Sequence, residues 1–212
     1  MSVIQRRARE KQELRQEILE TARTLFAREG YEAVTMRKIA EAIEYSPTAI
    51  YLYFTDKQEL LQELCRVDFL ALAKQFQRIA EVSDPLERLR QAGFVYVEFG
   101  LTHPNHYRLM FMTPHPRVSA EAELTQGKCE EDAYAFLKVI VGQCIEAGLF
   151  RDEFTDGETV SQLLWAGVHG LVSLHVAIGD EDWVEWRPIR ELTEKMLAMQ
   201  LHGLLREPGT RS

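Results

Sequence analysis

The sequence predicts an all-α protein, and three observations carry that prediction. Apolar residues recur at helical spacing in almost every segment, as in Leu14, Ile18, Ala22, Leu25 and Phe26. Helix-starting residues open the segments (Thr35, Ser46-Pro47, Thr55, Asp84-Pro85), and glycines close them (Gly30, Gly148, Gly179). No stretch alternates as a half-buried strand does, and there is no internal repeat or low-complexity segment.

Leu14 to Phe26 form the inner face of a first helix, which Gly30 stops as a C′ residue. Thr35 caps a second, carrying Ile39, Ala40 and Ile43 inward. After a break at Glu44-Tyr45, Ser46 caps a third with Pro47 at its first position. Thr55 and Gln58 form a capping box for a fourth, long helix through Leu60, Leu64, Phe69 and Phe76. Asp84-Pro85-Leu86-Glu87 starts the next, His103-Pro104-Asn105 interrupts the pattern, and Thr113-Pro114-His115-Pro116 marks a loop. Helices are then expected from about Ala120 to Glu146 and from about Gly157 to Ile178. A last one carries Ile189, Leu192, Met196, Met199 and Leu201. Residues 1–9 and 207–212 read as loose ends.

The 212 residues, 46% hydrophobic and 27% charged, suit one or two globular domains. The most apolar stretch, Val160 to Ile178, is broken by Ser161, Gln162, His169, Ser173 and His175, which argues against a membrane span. Arg6, Arg7, Arg9, Glu10 and Lys11 have no apolar run behind them, which argues against a signal peptide. Cys65, Cys129 and Cys144 are an odd number without CxxC spacing, so reduced thiols in a cytoplasm are expected, with no metal and no cofactor. The net charge of −8 is unevenly placed. Residues 1–57 hold ten Lys/Arg against nine Asp/Glu, and the remainder holds fifteen against twenty-four. A near-neutral head on an acidic body binds a polyanion if its bases face one way.

The layout of helix 35–43, turn and helix 46–53 is that of a helix-turn-helix. A recognition helix enters the major groove N-terminus first, so small and short polar residues belong there, and Pro47, Thr48 and Ala49 fit. Ile50 and Phe54, four apart, point back toward Ile39 and Ala40. Tyr51 and Tyr53 each have a ring to rest on the domain and a hydroxyl to donate to phosphate. Lys57 stands at a helix start, where ammonium and backbone N–H groups favour an anion together. Arg6, Arg7 and Arg9 read equally as a backbone-contacting arm or as a solvated tail.

The run Gly30-Tyr31 through Thr35-Met36-Arg37-Lys38-Ile39-Ala40, then Ser46-Pro47-Thr48-Ala49-Ile50-Tyr51-Leu52-Tyr53-Phe54 and Lys57, resembles the DNA-binding domain of the TetR family of transcriptional regulators. The resemblance covers about residues 10–60. It implies a homodimeric, all-helical repressor with a three-helix DNA-binding domain over residues 1–57. The helical bundle over 58–212 then binds a small-molecule effector and dimerises. By motif position, Thr35, Arg37 and Ser46 lie on the DNA face, with Arg37 reading a base. Pro47, Thr48 and Leu52 face the groove, and Tyr51, Tyr53 and Lys57 clamp phosphates. Where the family's turn usually has glycine this chain has Glu44, followed by Tyr45; a positive φ at Glu44 costs roughly 1 kcal/mol or more.

His103 through Phe111 and Trp165 through Leu171 resemble a TetR C-terminal type marked by Trp-x-x-x-His-Gly. Phe99, His103, Tyr107, Phe111, Trp165 and His169 are the candidate pocket residues. Trp165 and His169 share a helical face, which reads as a core histidine, as a pocket wall or, least well, as a metal site. Residues 159–178 are apolar nearly all round and so need burial on every side. With the last helix they make a four-helix interface across a two-fold axis. No nucleophile with base and orienter, phosphate loop or metal triad marks an enzyme. The competing reading is a helical protein-interaction adaptor that keeps the helix-turn-helix as scaffold.

Overall fold

A computed structural model describes residues 3–114 and 128–206. The described elements are α1 (Val3–Glu29), α2 (Met36–Ala42), α3 (Pro47–Tyr51), α4 (Lys57–Gln77), α5 (Pro85–Thr102), α6 (Pro104–Tyr107), a π-helical turn (Arg108–Met112), α7 (Ala133–Glu146), α8 (Gly157–Ile178) and α9 (Ile189–Leu204). Among the described residues there is no strand, only an isolated antiparallel bridge between Phe150 and Leu205.

The chain forms two compact units. Among the described residues the first takes residues 3–68 and 105–114, and the second takes 69–104 and 128–206. The division therefore falls inside α4, eleven residues beyond the expected boundary at 57, and the segment after α5 returns to the first unit.

In the first unit Ile18, Leu19 and Phe26 of α1 are buried with Ile39 of α2, Ile50 of α3 and Leu60 of α4. Each such side chain contributes roughly 1.5–3 kcal/mol on burial. Gly30 ends α1 with φ +83°, a conformation that L side chains rarely adopt. Residues 4–9, expected as a loose end, instead continue α1 as helix, with Arg6 and Glu10 paired one turn apart. The start of α4 is also displaced from its expected signal. Asp56, rather than Thr55, accepts from the Glu59 backbone N–H at 2.8 Å, and the Glu59 carboxylate reaches back to the Thr55 N–H at 2.6 Å. Asp56 thus caps the helix in place of Thr55, and the Glu59 carboxylate returns to the N–H and hydroxyl of Thr55, one residue before the cap, in a variant of the capping box. The π turn closes when the Thr113 N–H donates to the Arg108 carbonyl at 2.7 Å, and it packs on α1.

In the second unit α5 lies against α7, α8 and α9. Gly93 allows the approach to α9, since a Cβ there would stand 2.4 Å from a Leu197 methyl. α7 begins at Ala133, not near Ala120. Asp132 accepts from the Tyr134 and Ala135 N–H groups at 2.9 and 3.0 Å, and residues 129–131 form a turn before it. The expected helix over 120–127 lies outside the described residues.

α8 buries Val160, Leu164, Val168, Val172 and Val176 along one stripe. Leu163, Ala166, Leu174 and Ala177 on other sides are exposed, so the single chain does not bury this helix all round. α8 is the one described helix long and apolar enough to cross a membrane by length and composition. α9 turns Thr193, Leu197, Leu201 and Leu204 inward and leaves Met199 exposed, so the expected stripe through Met199 is not its inner face.

Candidate nucleic-acid interface

The helix-turn-helix is built from local hydrogen bonds. The Thr35 side chain accepts from the Lys38 N–H at 3.1 Å, and the Ser46 side chain accepts from the Ala49 N–H at 3.3 Å. Each satisfies a donor that the helix itself cannot. Between them the chain reverses through a tight helix-terminal motif. The Tyr45 N–H donates to the Ala40 carbonyl at 2.9 Å and the Glu44 N–H to that of Glu41 at 3.2 Å, with Glu44 at φ 60°. This is the Schellman pattern, whose left-handed position ordinarily belongs to glycine. The turn has kept the geometry while losing the residue that adopts it without strain.

α3 is anchored from beneath by Ile50 and Phe54, both buried. Its other side is open. Thr35, Arg37, Ser46, Pro47, Thr48, Tyr51 and Leu52 are all exposed, Leu52 to 76% and Tyr51 to 51%. Tyr51 and Leu52 thus present large side chains to solvent rather than to the domain's core. Tyr53 and Lys57 are half-buried.

The cations of this face are partly engaged. Arg37 Nε donates to Glu41 at 2.8 Å, one turn along α2. Lys57 Nζ donates to the Tyr31 carbonyl at 2.9 Å and stands 4.0 Å from the centre of the Tyr31 ring. An ammonium has three donors, so this contact fixes Lys57 and leaves two for an anion.

The six candidate pocket residues do not share one unit. Phe99, His103, Trp165 and His169 lie in the second, and Tyr107 and Phe111 lie in the first, their rings 5.0 Å apart. Phe99 is buried, and His103 is exposed at the end of α5 with its ring 5.2 Å from that of Phe99. Trp165 and His169 meet at Tyr96, a residue that sequence reasoning does not single out. The indole N–H of Trp165 donates to the Tyr96 hydroxyl at 2.9 Å, and that oxygen is 3.4 Å from His169 Nδ1. Burial holds the His169 pKa below its usual value. The spacing of tryptophan and histidine is thus explained by a shared partner on α5.

A second cluster invisible in the sequence lies in the first unit. Arg23 of α1 donates through Nε at 3.1 Å and Nη2 at 2.8 Å to Asp68 of α4. His106 Nδ1 of α6 is 2.9 Å from the same carboxylate. Among the described residues no group of three or more His, Cys, Asp or Glu is placed to hold a metal.

Two family models match the chain. Residues 18–64 match the family described as bacterial regulatory proteins, tetR family. Residues 89–203, more than half of the chain, match the tetracyclin repressor-like C-terminal domain. The transcriptional repressor AcnR of Corynebacterium diphtheriae is 45% identical over 60 residues, which are 28% of this chain and 32% of that repressor. The match thus spans about a third of the length of AcnR. The transcriptional repressor KstR2 of Mycobacterium tuberculosis is 26% identical over 206 residues, 91% of this chain and 94% of KstR2. Among solved structures, the ketosteroid transcriptional regulator KstR2 of that organism superposes with a TM-score of 0.65 at 23% identity, covering 91% of this chain and 95% of its own. The fatty acid degradation regulator FadR of Bacillus halodurans does so with a TM-score of 0.71 at 18% identity, over 89% and 95%.

Proposed function

This chain belongs to the TetR family of bacterial regulatory proteins, and on that footing we propose that it is a transcriptional repressor released from a palindromic operator by a small molecule. The observation that carries the reading is the exposed face of α3. Pro47, Thr48, Tyr51 and Leu52 stand in solvent on a helix that Ile50 and Phe54 fix from below. In the complex Thr48 and Pro47 approach base edges, Leu52 makes apolar contact, and Thr35, Ser46, Tyr51, Tyr53 and Lys57 hold phosphates. Arg37 leaves Glu41 for a base.

A palindrome needs two copies, and the open faces of α8 and α9 support a homodimer through those helices. Leu163 and Leu174 of α8 and Met199 of α9 are exposed, and a two-fold axis covers all three at once. Such a dimer sets its recognition helices one DNA turn apart, about 34–36 Å, or a multiple of it. The effector site belongs to the C-terminal unit around Phe99, Trp165 and His169. An effector releases the operator by binding better to the wrongly spaced state, with a coupling of ~1–3 kcal/mol. The protein acts in the cytoplasm.

The test is fluorescence anisotropy against tiled fragments upstream of its own gene and against a randomised pool, at several salt concentrations. A two-fold symmetric sequence bound tightly by wild type and weakly by Tyr53→Phe and Lys57→Ala is expected. Lys57→Ala should flatten the salt slope by roughly one unit for each phosphate that Lys57 neutralises. A pool that enriches no sequence would overturn the reading.

A further inference from the structure

The first turns of α1 lie outside the core. Residues 4–13 are exposed, and the first buried residue of the helix is Ile18. A helical extension that buries no face gains little from packing, so its own charges decide how well it forms. Those charges run against the helix. Its first turn has no acidic residue and holds Arg6, where the macrodipole disfavours a cation, and Arg7, Arg9 and Lys11 follow in the next two turns. Cations left uncompensated on such an extension point to function.

The four cations are not equivalent. Arg6 is 3.4 Å from Glu10 and Arg9 is 3.2 Å from Glu13, each one helical turn on. Among the described residues Arg7 and Lys11 have no carboxylate at ion-pair distance. They stand four residues apart, so they share a face and are about 6 Å apart along the axis. That face lines an open groove with Glu10, Leu14, Tyr45, Leu52 and Tyr53. Arg6 offsets the charge of Glu10, which leaves the groove positive. Its other wall is the turn and the end of the recognition helix.

We infer that the N-terminal extension of α1 is a second DNA-contacting element, in which Arg7 and Lys11 hold phosphates of the strand that continues past Tyr53. This rests on the operator reading above, because the groove is continuous with the face assigned to DNA. It also divides the basic run by role. Arg6 and Arg9 stabilise the extension against its own acids, and Arg7 and Lys11 are left for the polyanion.

The experiment compares wild type, Arg7→Ala/Lys11→Ala and Arg6→Ala/Arg9→Ala on the duplex enriched from the randomised pool. Anisotropy titrations run over a salt series. All four positions are exposed and helical, where alanine is at least as good a helix former, and far-UV circular dichroism confirms the fold. Removing Arg7 and Lys11 is expected to flatten the slope of log affinity against log salt by about two units per bound protomer. Trimming the flanks of the duplex should flatten the wild-type slope likewise and leave the Arg7→Ala/Lys11→Ala slope unchanged. Arg6→Ala/Arg9→Ala removes the same charge and should flatten the slope by less than half as much. An unchanged slope in the first variant overturns the inference, as does an equal flattening in both. If wild type itself enriches no sequence, it is the operator reading that has failed.

Discussion

Asp68→Ala should be among the most destabilising single changes in the first unit. Asp68 is fully buried on α4 and accepts two donors of Arg23, itself only 3% exposed on α1. Deleting the carboxylate leaves a guanidinium in the interior with Glu20, whose carboxylate Nη1 still reaches. Breaking a buried pair by removing one partner costs about 3–5 kcal/mol. The remaining contact to Glu20, a largely exposed side chain, returns at most about 1 kcal/mol, so a destabilisation of ~3–4 kcal/mol is expected. Arg23→Met/Asp68→Leu removes both charges and should recover most of this loss, falling short of wild type by what the His106 contact to the same carboxylate contributes. Urea unfolding measures all three proteins. With a slope of about 1–2 kcal/mol per molar, Asp68→Ala lowers the midpoint by roughly 2 M. Trp165, Trp183 and Trp186 all lie in the second unit, so fluorescence follows that unit while circular dichroism follows both. A dichroism transition that moves ahead of fluorescence localises the destabilisation to the first unit. A midpoint shift below about 0.3 M would refute the argument, and so would a double variant as unstable as the single one.

Other perturbations address the turn and the second unit. Glu44→Gly relieves about 1–2 kcal/mol of left-handed strain and forfeits about 0.4–1 kcal/mol to the freer unfolded chain, so thermal unfolding should show a net gain of about 0.5–1 kcal/mol. Tyr96→Phe leaves the indole N–H of Trp165 without its acceptor and should cost about 1–3 kcal/mol in urea unfolding followed by fluorescence. His169 has its folded pKa lowered by burial, so the unfolded chain takes up the proton first as pH falls. Its contribution is complete above the reference value of 6.5 and declines below it until the lowered folded pKa is passed. The unfolding midpoint of wild type should therefore drop from pH 7 toward pH 5 more steeply than that of His169→Gln.

The parts of this protein that are legible in its sequence are those whose signals are local. Helix identity rests on residues three and four apart, and the helix-turn-helix rests on two caps and a turn within a dozen positions. Even the strain at Glu44 is readable, because a Schellman turn fixes which position needs positive φ whatever residue fills it. Where two local signals compete, the first in the chain misleads. Thr55-Gln58 and Asp56-Glu59 both spell a capping box, and the carboxylate pair takes the helix start. The pattern of α8 is apolar nearly all round, yet the isolated chain covers only one stripe of it. That difference is the surface that the proposed homodimer would cover.

What stays hidden joins distant helices through single polar atoms. Trp165 and His169 announce a shared face, but nothing near them names Tyr96, whose hydroxyl lies 69 residues from one and 73 from the other. Arg23 is one of many arginines among glutamates on α1, and no local feature separates a buried one from its solvated neighbours. Burial is decided by Asp68, 45 residues on, and only an apolar neighbourhood without water makes that pair matter. The same reasoning separates Arg7 and Lys11 from Arg6 and Arg9. The sequence offers four equivalent cations. Glu10 and Glu13 engage two of them, and the other two, with no carboxylate at ion-pair distance among the described residues, line the groove that ends at the recognition helix.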